Sequence, residues 1–240
     1  MFPCLRPLLL KLQSHPSVSE EVSSSCGLAL AHVARQSNVS GEPAGFLDEH
    51  FEHCFPPFTL ACSSKEPSLI NCALDGIEKL IAHGILRGDR RLESPGRSGT
   101  VMDAVVDVIV KCFEADSDAV QLQITRVLLT ASTVPNSSVH GQSLISCVRG
   151  CFKVWLSSSD AVVTNTARTA LQRIVITYVQ RMEIDAAERL ETDFNVPCVP
   201  LDSLLLGDDI DATDRSLATT TSNASPTPVR LKCLSHCDYL

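Results

Sequence analysis

Apolar residues recur at helical spacing in five segments of this chain, and that period decides the fold class before anything else does. Over residues 67–82, Leu69, Ile70, Ala73, Leu74, Ile77, Leu80 and Ile81 make one stripe. Pro67 suits a first helical turn, and Gly84 suits a left-handed stop just past the end. Over residues 101–113 only Asp103, Asp107 and Lys111 interrupt the apolar run. They are four apart, so they form a narrow wet stripe on a helix covered on most sides, with Asp107 and Lys111 placed to pair. Residues 119–131 follow, with Asp118 and Gln121 spaced as a capping pair. Leu144, Val148, Cys151, Phe152 and Trp155 share a face over 144–156. Ala167, Ala170, Leu171, Ile174, Tyr178 and Met182 do the same over 164–182.

Weaker helical patterns cover residues 5–13, 18–34 and 57–63. No stretch alternates with period two for long enough to read as a strand, so the class is all-α, with seven to nine helices and no sheet expected. The last four strong helices start near residues 101, 120, 143 and 166. Two such spacings make roughly 42 to 46 residues, the period of HEAT and armadillo repeats. The expected architecture is an armadillo- or HEAT-like right-handed helical stack, whose exposed faces bind partners. Residues 37–55 and 87–99 read as linker and exposed loop. The pattern collapses near residue 196, and residues 218–228 are of low complexity. A helical domain over 1–190 and a disordered tail over 191–240 are expected.

Composition narrows the function classes. The net charge is −8, and phosphate binding needs clustered Lys and Arg, so nucleic acid is not expected as a partner. Of eleven cysteines, Cys72, Cys112, Cys147 and Cys151 fall inside apolar segments, where a free thiol behaves as a small hydrophobe. The N-terminal apolar run, broken by Arg6 and Lys11, is too short for a signal peptide. No run of 18 apolar residues spans a bilayer. A reducing, cytoplasmic setting follows, in which the sequons at Asn38, Asn136 and Asn223 are accidental.

Candidate chemistry is thin. The run Asp48-Glu49-His50-Phe51-Glu52-His53-Cys54 holds every zinc-ligand type, but its spacing does not close a tetrahedral site, and it reads as a solvated helix approach. Cys147 and Cys151 read as core, and Cys233, His236 and Cys237 lie in the tail pattern. No catalytic Ser elbow, phosphate loop or dinucleotide fingerprint occurs. Neither metal nor cofactor is expected, nor enzymatic activity. Arg87, Arg90, Arg91 and Arg97, diluted by Asp89 and Glu93, read as a solvated loop. At the end of the 67–82 helix, Lys79 and His83 are four apart on one face, with Leu86 after the Gly84 stop. These three are the candidate partner-binding residues, an exposed apolar side chain beside a cation.

Two segments resemble a known family. Pro57-Phe58-Thr59-Leu60-Ala61-Cys62-Ser63-Ser64-Lys65, with Ala73-Leu74-Asp75-Gly76-Ile77-Glu78-Lys79-Leu80-Ile81-Ala82-His83-Gly84, is similar to the start of the BIG-type, brefeldin A-inhibited Arf guanine-nucleotide exchange factors. Val120-Gln121-Leu122-Gln123-Ile124 with Leu128-Leu129-Thr130-Ala131 resembles a later part, as do Val148 to Cys151 and Thr166-Ala167 leading to Arg181-Met182-Glu183. Order and spacing agree over residues 57–183.

The resemblance implies a dimerisation and cyclophilin-binding domain, a non-catalytic regulatory module of vesicle traffic. Its implied partners are a second copy or the upstream homology region of the same family, and an Arf-like small GTPase. Peripheral association at the trans-Golgi network follows by the same analogy. The exchange domain lies downstream in such proteins, so a fragment, an isoform or a mispredicted gene end is expected. The chain differs from the pattern at His83, where members tend to carry Tyr, and at Ser98-Gly99-Thr100, where they carry basic residues. Alternatives are a generic armadillo or HEAT adaptor and a Mon-type Golgi scaffold without exchange activity.

Overall fold

In the computed structural model, residues 4–36, 44–94, 97–115 and 117–194 are described. The expectations for the tail beyond residue 194, including Cys233, His236 and Cys237, lie outside them, as do residues 37–43. So does the side chain of Arg97.

The chain enters as α1 (Leu5–Gln13), which buries Leu5, Leu9 and Leu12. Next comes α2 (Glu20–Arg35), where the Ser19 hydroxyl accepts the Val22 N–H at 3.3 Å and Glu20 and Glu21 sit in the positive first turn. The stretch expected as linker holds two short helices, α3 (Phe46–Glu49) and α4 (Phe51–Cys54). They bring the number of α-helices among the described residues to ten rather than seven to nine. α5 (Pro56–Cys62) leads to α6 (Pro67–Ala82), whose bounds match the periodicity. These two helices approach closely at Gly76, where a Cβ would stand 2.7 Å from Phe58 Cε1.

The expectation of no sheet needs correction. Strands β1 (Arg91–Ser94) and β2 (Arg97–Thr100) pair antiparallel, with Leu92 opposite Gly99. Pro95-Gly96, a turn dipeptide between two four-residue runs, is the signal that marks it. Thr100 then caps α7 (Val101–Lys111). Its hydroxyl accepts the Asp103 N–H while Asp103 accepts the Thr100 N–H at 2.7 Å, a reciprocal box. Asp103 thus serves the cap rather than a plain wet stripe. Ion pairs among the described residues do not include Asp107 with Lys111.

After a 3-10 turn (Cys112–Glu114) come α8 (Asp118–Thr133), α9 (Gly141–Ser157) and α10 (Ala161–Phe194). Asp118 is the first residue of α8 and not its cap; Ser117 precedes it, with no side-chain capping bond. The start of α10 is held by Asp160, whose carboxylate accepts the Val162 and Val163 N–H groups at 2.6 and 3.1 Å. α10 runs past the domain limit expected at residue 190.

Packing is helix on helix throughout. α6 lies on α8, α10 lies on α8 and α9, and α1 lies on α2 and α6. One apolar core runs from Leu5 to Ile174, including Cys112, Cys147 and Cys151. Cys72 is only half-buried, packed at the core's edge, because it sits at the rim of the α6 stripe.

Candidate interaction surface

The end of α6 is built by local chain chemistry. Gly84 takes φ +68, and the Ile85 and Leu86 N–H groups reach back to the Leu80 carbonyl at 3.0 and 3.1 Å. This left-handed stop folds the chain onto the helix it has left. Leu86 is therefore 1% exposed, and its expected place on an open surface is corrected. It packs over the helix end as the apolar contact that commonly accompanies such a stop.

Lys79 and His83 do face outward. Lys79 Nζ stands 2.8 Å from Asp75 Oδ2, and Lys11 Nζ from α1 reaches the same oxygen at 3.0 Å. Burial alone would raise the Asp75 pKa, but hydrogen bonds from Lys79 and Lys11 outweigh it and hold the carboxyl below its usual range. Two ammonium groups share one carboxylate, so the cluster keeps one net positive charge at the surface, with His83 one turn beyond Lys79.

The loop after Leu86 is pinned by a residue the sequence pattern placed in solvent. Asp48 is buried, and its carboxylate accepts the Gly88 N–H at 2.9 Å and the Arg87 N–H at 3.2 Å. Desolvation raises its pKa, and the two backbone donors only partly offset that. Arg90 donates to the Asp48 and Glu49 carbonyls at 3.3 and 2.7 Å, so this arginine ties the loop to α3 rather than waving in water. The Asp48–Cys54 run is accordingly no solvated approach. Asp48 and Cys54 are buried, and Glu49, Glu52 and His53 are the exposed members.

The same run brings histidines together. His32 Nε2 of α2 lies 3.2 Å from His50 Nδ1, and the His32 and His53 rings stack at 4.5 Å. Burial first, then His53, His50 and Arg35, hold the His32 pKa below its usual value. Beside them, Phe51, Phe55, Pro56, Leu60, Leu92 and Ala104 line an apolar groove of about 420 Å³, with Glu52 at its edge. The periodicity could not show this groove, because it is made by residues 51–60 meeting the hairpin and α7.

Known proteins resemble this chain over most of its helical region. The profile described as "Mon2/Sec7/BIG1-like, dimerisation and cyclophilin-binding domain" matches residues 10–186. Mouse brefeldin A-inhibited guanine nucleotide-exchange protein 1 is 35% identical over 136 residues, 56% of this chain and 7% of that protein. The fission yeast ADP-ribosylation factor guanine nucleotide-exchange factor sec71 is 30% identical over 180 residues, 74% of this chain and 10% of its own length. The human protein MON2 homolog is 25% identical over 180 residues, again 74% of this chain and 9% of its own. The matched region is thus a tenth or less of each of these relatives.

Proposed function

Because the chain belongs to the Mon2/Sec7/BIG1-like dimerisation and cyclophilin-binding domain family, we propose that it is a non-catalytic regulatory module of an Arf guanine-nucleotide exchange factor. It acts by protein contact: pairing with a second copy or with the upstream homology region, and docking an Arf-like GTPase that recruits it to the trans-Golgi network. The higher identity to the exchange proteins than to the MON2 homolog favours this reading over a Golgi scaffold without exchange activity. Among the described residues no helix is long and apolar enough to cross a membrane, so recruitment in this reading is peripheral.

The observation that carries the docking is the Lys11–Asp75–Lys79 cluster. Its spare positive charge, with His83 one turn on, suits an acidic surface of a small GTPase. Leu86, buried, has no part in that contact. The apolar share of the interface then falls to other residues. The test is nucleotide dependence: immobilised chain should retain an Arf-like protein loaded with a GTP analogue and not its GDP form. Equal retention of both forms, or of neither, would sink the reading.

A further inference from the structure

The last helix among the described residues carries apolar surface that its own packing does not use. α10 buries Ala167, Ala170 and Ile174 against the rest of the stack. Val175, Val179, Met182 and Ala186 fall at i, i+4, i+7 and i+11, one stripe about a quarter-turn away. The first three are 55%, 49% and 68% exposed, and Ala186 is exposed as well. Exposed apolar residues scattered singly are ordinary, but a continuous apolar stripe along one helix face marks an interaction surface. Every side chain described beyond Met182 is exposed too. So short a projecting end would be marginal as a lone helix in water.

Charge indicates the occupant. Residues 161–178 carry Arg168 and Arg173 and no acid, while residues 179–194 carry five acids against Arg181 and Arg189. A second α10 laid antiparallel puts each acidic end over the other's basic half and each stripe on its counterpart. A parallel pair would stack acid on acid. The antiparallel pair also obeys a two-fold, the commonest oligomer symmetry.

We infer that the Val175, Val179, Met182 and Ala186 stripe of α10 is the face on which a second copy of this chain docks, helix antiparallel to helix. This rests on the dimer reading above and adds the surface. Sedimentation velocity on the full 240-residue chain tests it. Wild type should be dimeric, and Val179→Glu/Met182→Glu monomeric with an unchanged helical spectrum. Met182→Glu alone, a milder change, should raise the dimer Kd at least about ten-fold, since a charge meets an apolar seam. Leu28→Glu, at a leucine 71% exposed on α2, should stay dimeric. Arg168→Glu should weaken the dimer at low salt and much less at high salt.

A monomeric wild type removes the dimer reading and gives the stripe to another occupant, such as a further helical layer. A dimeric wild type with a folded, dimeric double variant leaves that reading standing and overturns the face. Loss of the dimer in Leu28→Glu also overturns it. An Arg168→Glu dimer unweakened at low salt overturns the antiparallel arrangement.

Discussion

Asp48 and Gly88 lie forty residues apart, yet the Gly88 N–H donates to Asp48 Oδ1 at 2.9 Å in a buried setting. Through this bond and its neighbour at Arg87, α3 holds the loop between the end of α6 and the hairpin. Replacing Asp48 by Ala leaves two backbone donors without their acceptor. Each buried orphan costs about 1–3 kcal/mol, so the two together are expected to cost about 2–6 kcal/mol, toward the lower end because the Arg87 N–H is only half-buried. Urea denaturation should show it as a lower midpoint at unchanged slope, and a variant within 0.5 kcal/mol of wild type, the usual range for a surface change, would show the bonds to be idle.

Gly88 itself permits no side chain. Its φ is +83, and a Cβ there would stand 2.4 Å from Met102 Cβ. Gly88→Ala therefore meets both backbone strain and overpacking, and should cost about 2 kcal/mol or more. Gly84→Ala, left-handed but with nothing within 4 Å of the added Cβ, should cost less, about 1 kcal/mol from strain alone. Thermal melts that rank the two variants the other way would contradict the packing account.

The bounds of α6 were legible because both stops are local: Pro67 opens it and Gly84 closes it. The role of Asp48 was not, since its partners at Arg87 and Gly88 are remote in sequence and the pattern around it reads as polar. Leu86 was misplaced for a related reason. An apolar residue two past a glycine stop suits an open surface or a fold-back equally in one dimension, and the bonds to the Leu80 carbonyl decide for fold-back. The hairpin escaped because four-residue strands are too short for a period to register. α10 continues past Met182 on exposed residues, where no buried face marks its course.

Acid should act on His32 first. A histidine whose folded pKa is lowered binds fewer protons folded than unfolded below its ordinary 6.5. Stability is therefore lost as pH falls through that window. Asp75 and Asp103 lose their contribution later, as pH drops below the ordinary 3.8 through their depressed values. Asp48, raised by burial, runs the other way and favours folding less as pH climbs through its folded pKa. His32→Gln should flatten the stability profile just below the ordinary 6.5 and leave the limb below about 4 in place. An unchanged upper limb in denaturant melts would contradict the assignment.

Thiol reactivity should divide the cysteines by burial. Burial pushes Cys147 up to about 11 and Cys151 up to about 12, and both are closed off from solvent along with Cys112. Half-buried Cys72 should react in the native state, at least about ten-fold faster than these three, which wait for unfolding. Mass-spectrometric mapping of timed maleimide labelling would expose the opposite order.

The proposed absence of catalysis predicts that purified chain leaves the rate of nucleotide release from Arf proteins unchanged. A rate that rises in proportion to added chain would overturn it.

If an Arf-like GTPase docks at the cationic end of α6, as proposed, its equilibrium binding should change in the Lys79→Glu/His83→Ala variant. Both side chains face solvent. Apart from loss of the Asp75 pair, worth at most about 1 kcal/mol at the surface, folding should survive. Affinity for the GTP-loaded protein should fall at least about ten-fold, or 1.4 kcal/mol. A folded variant that binds as tightly as wild type would contradict the account.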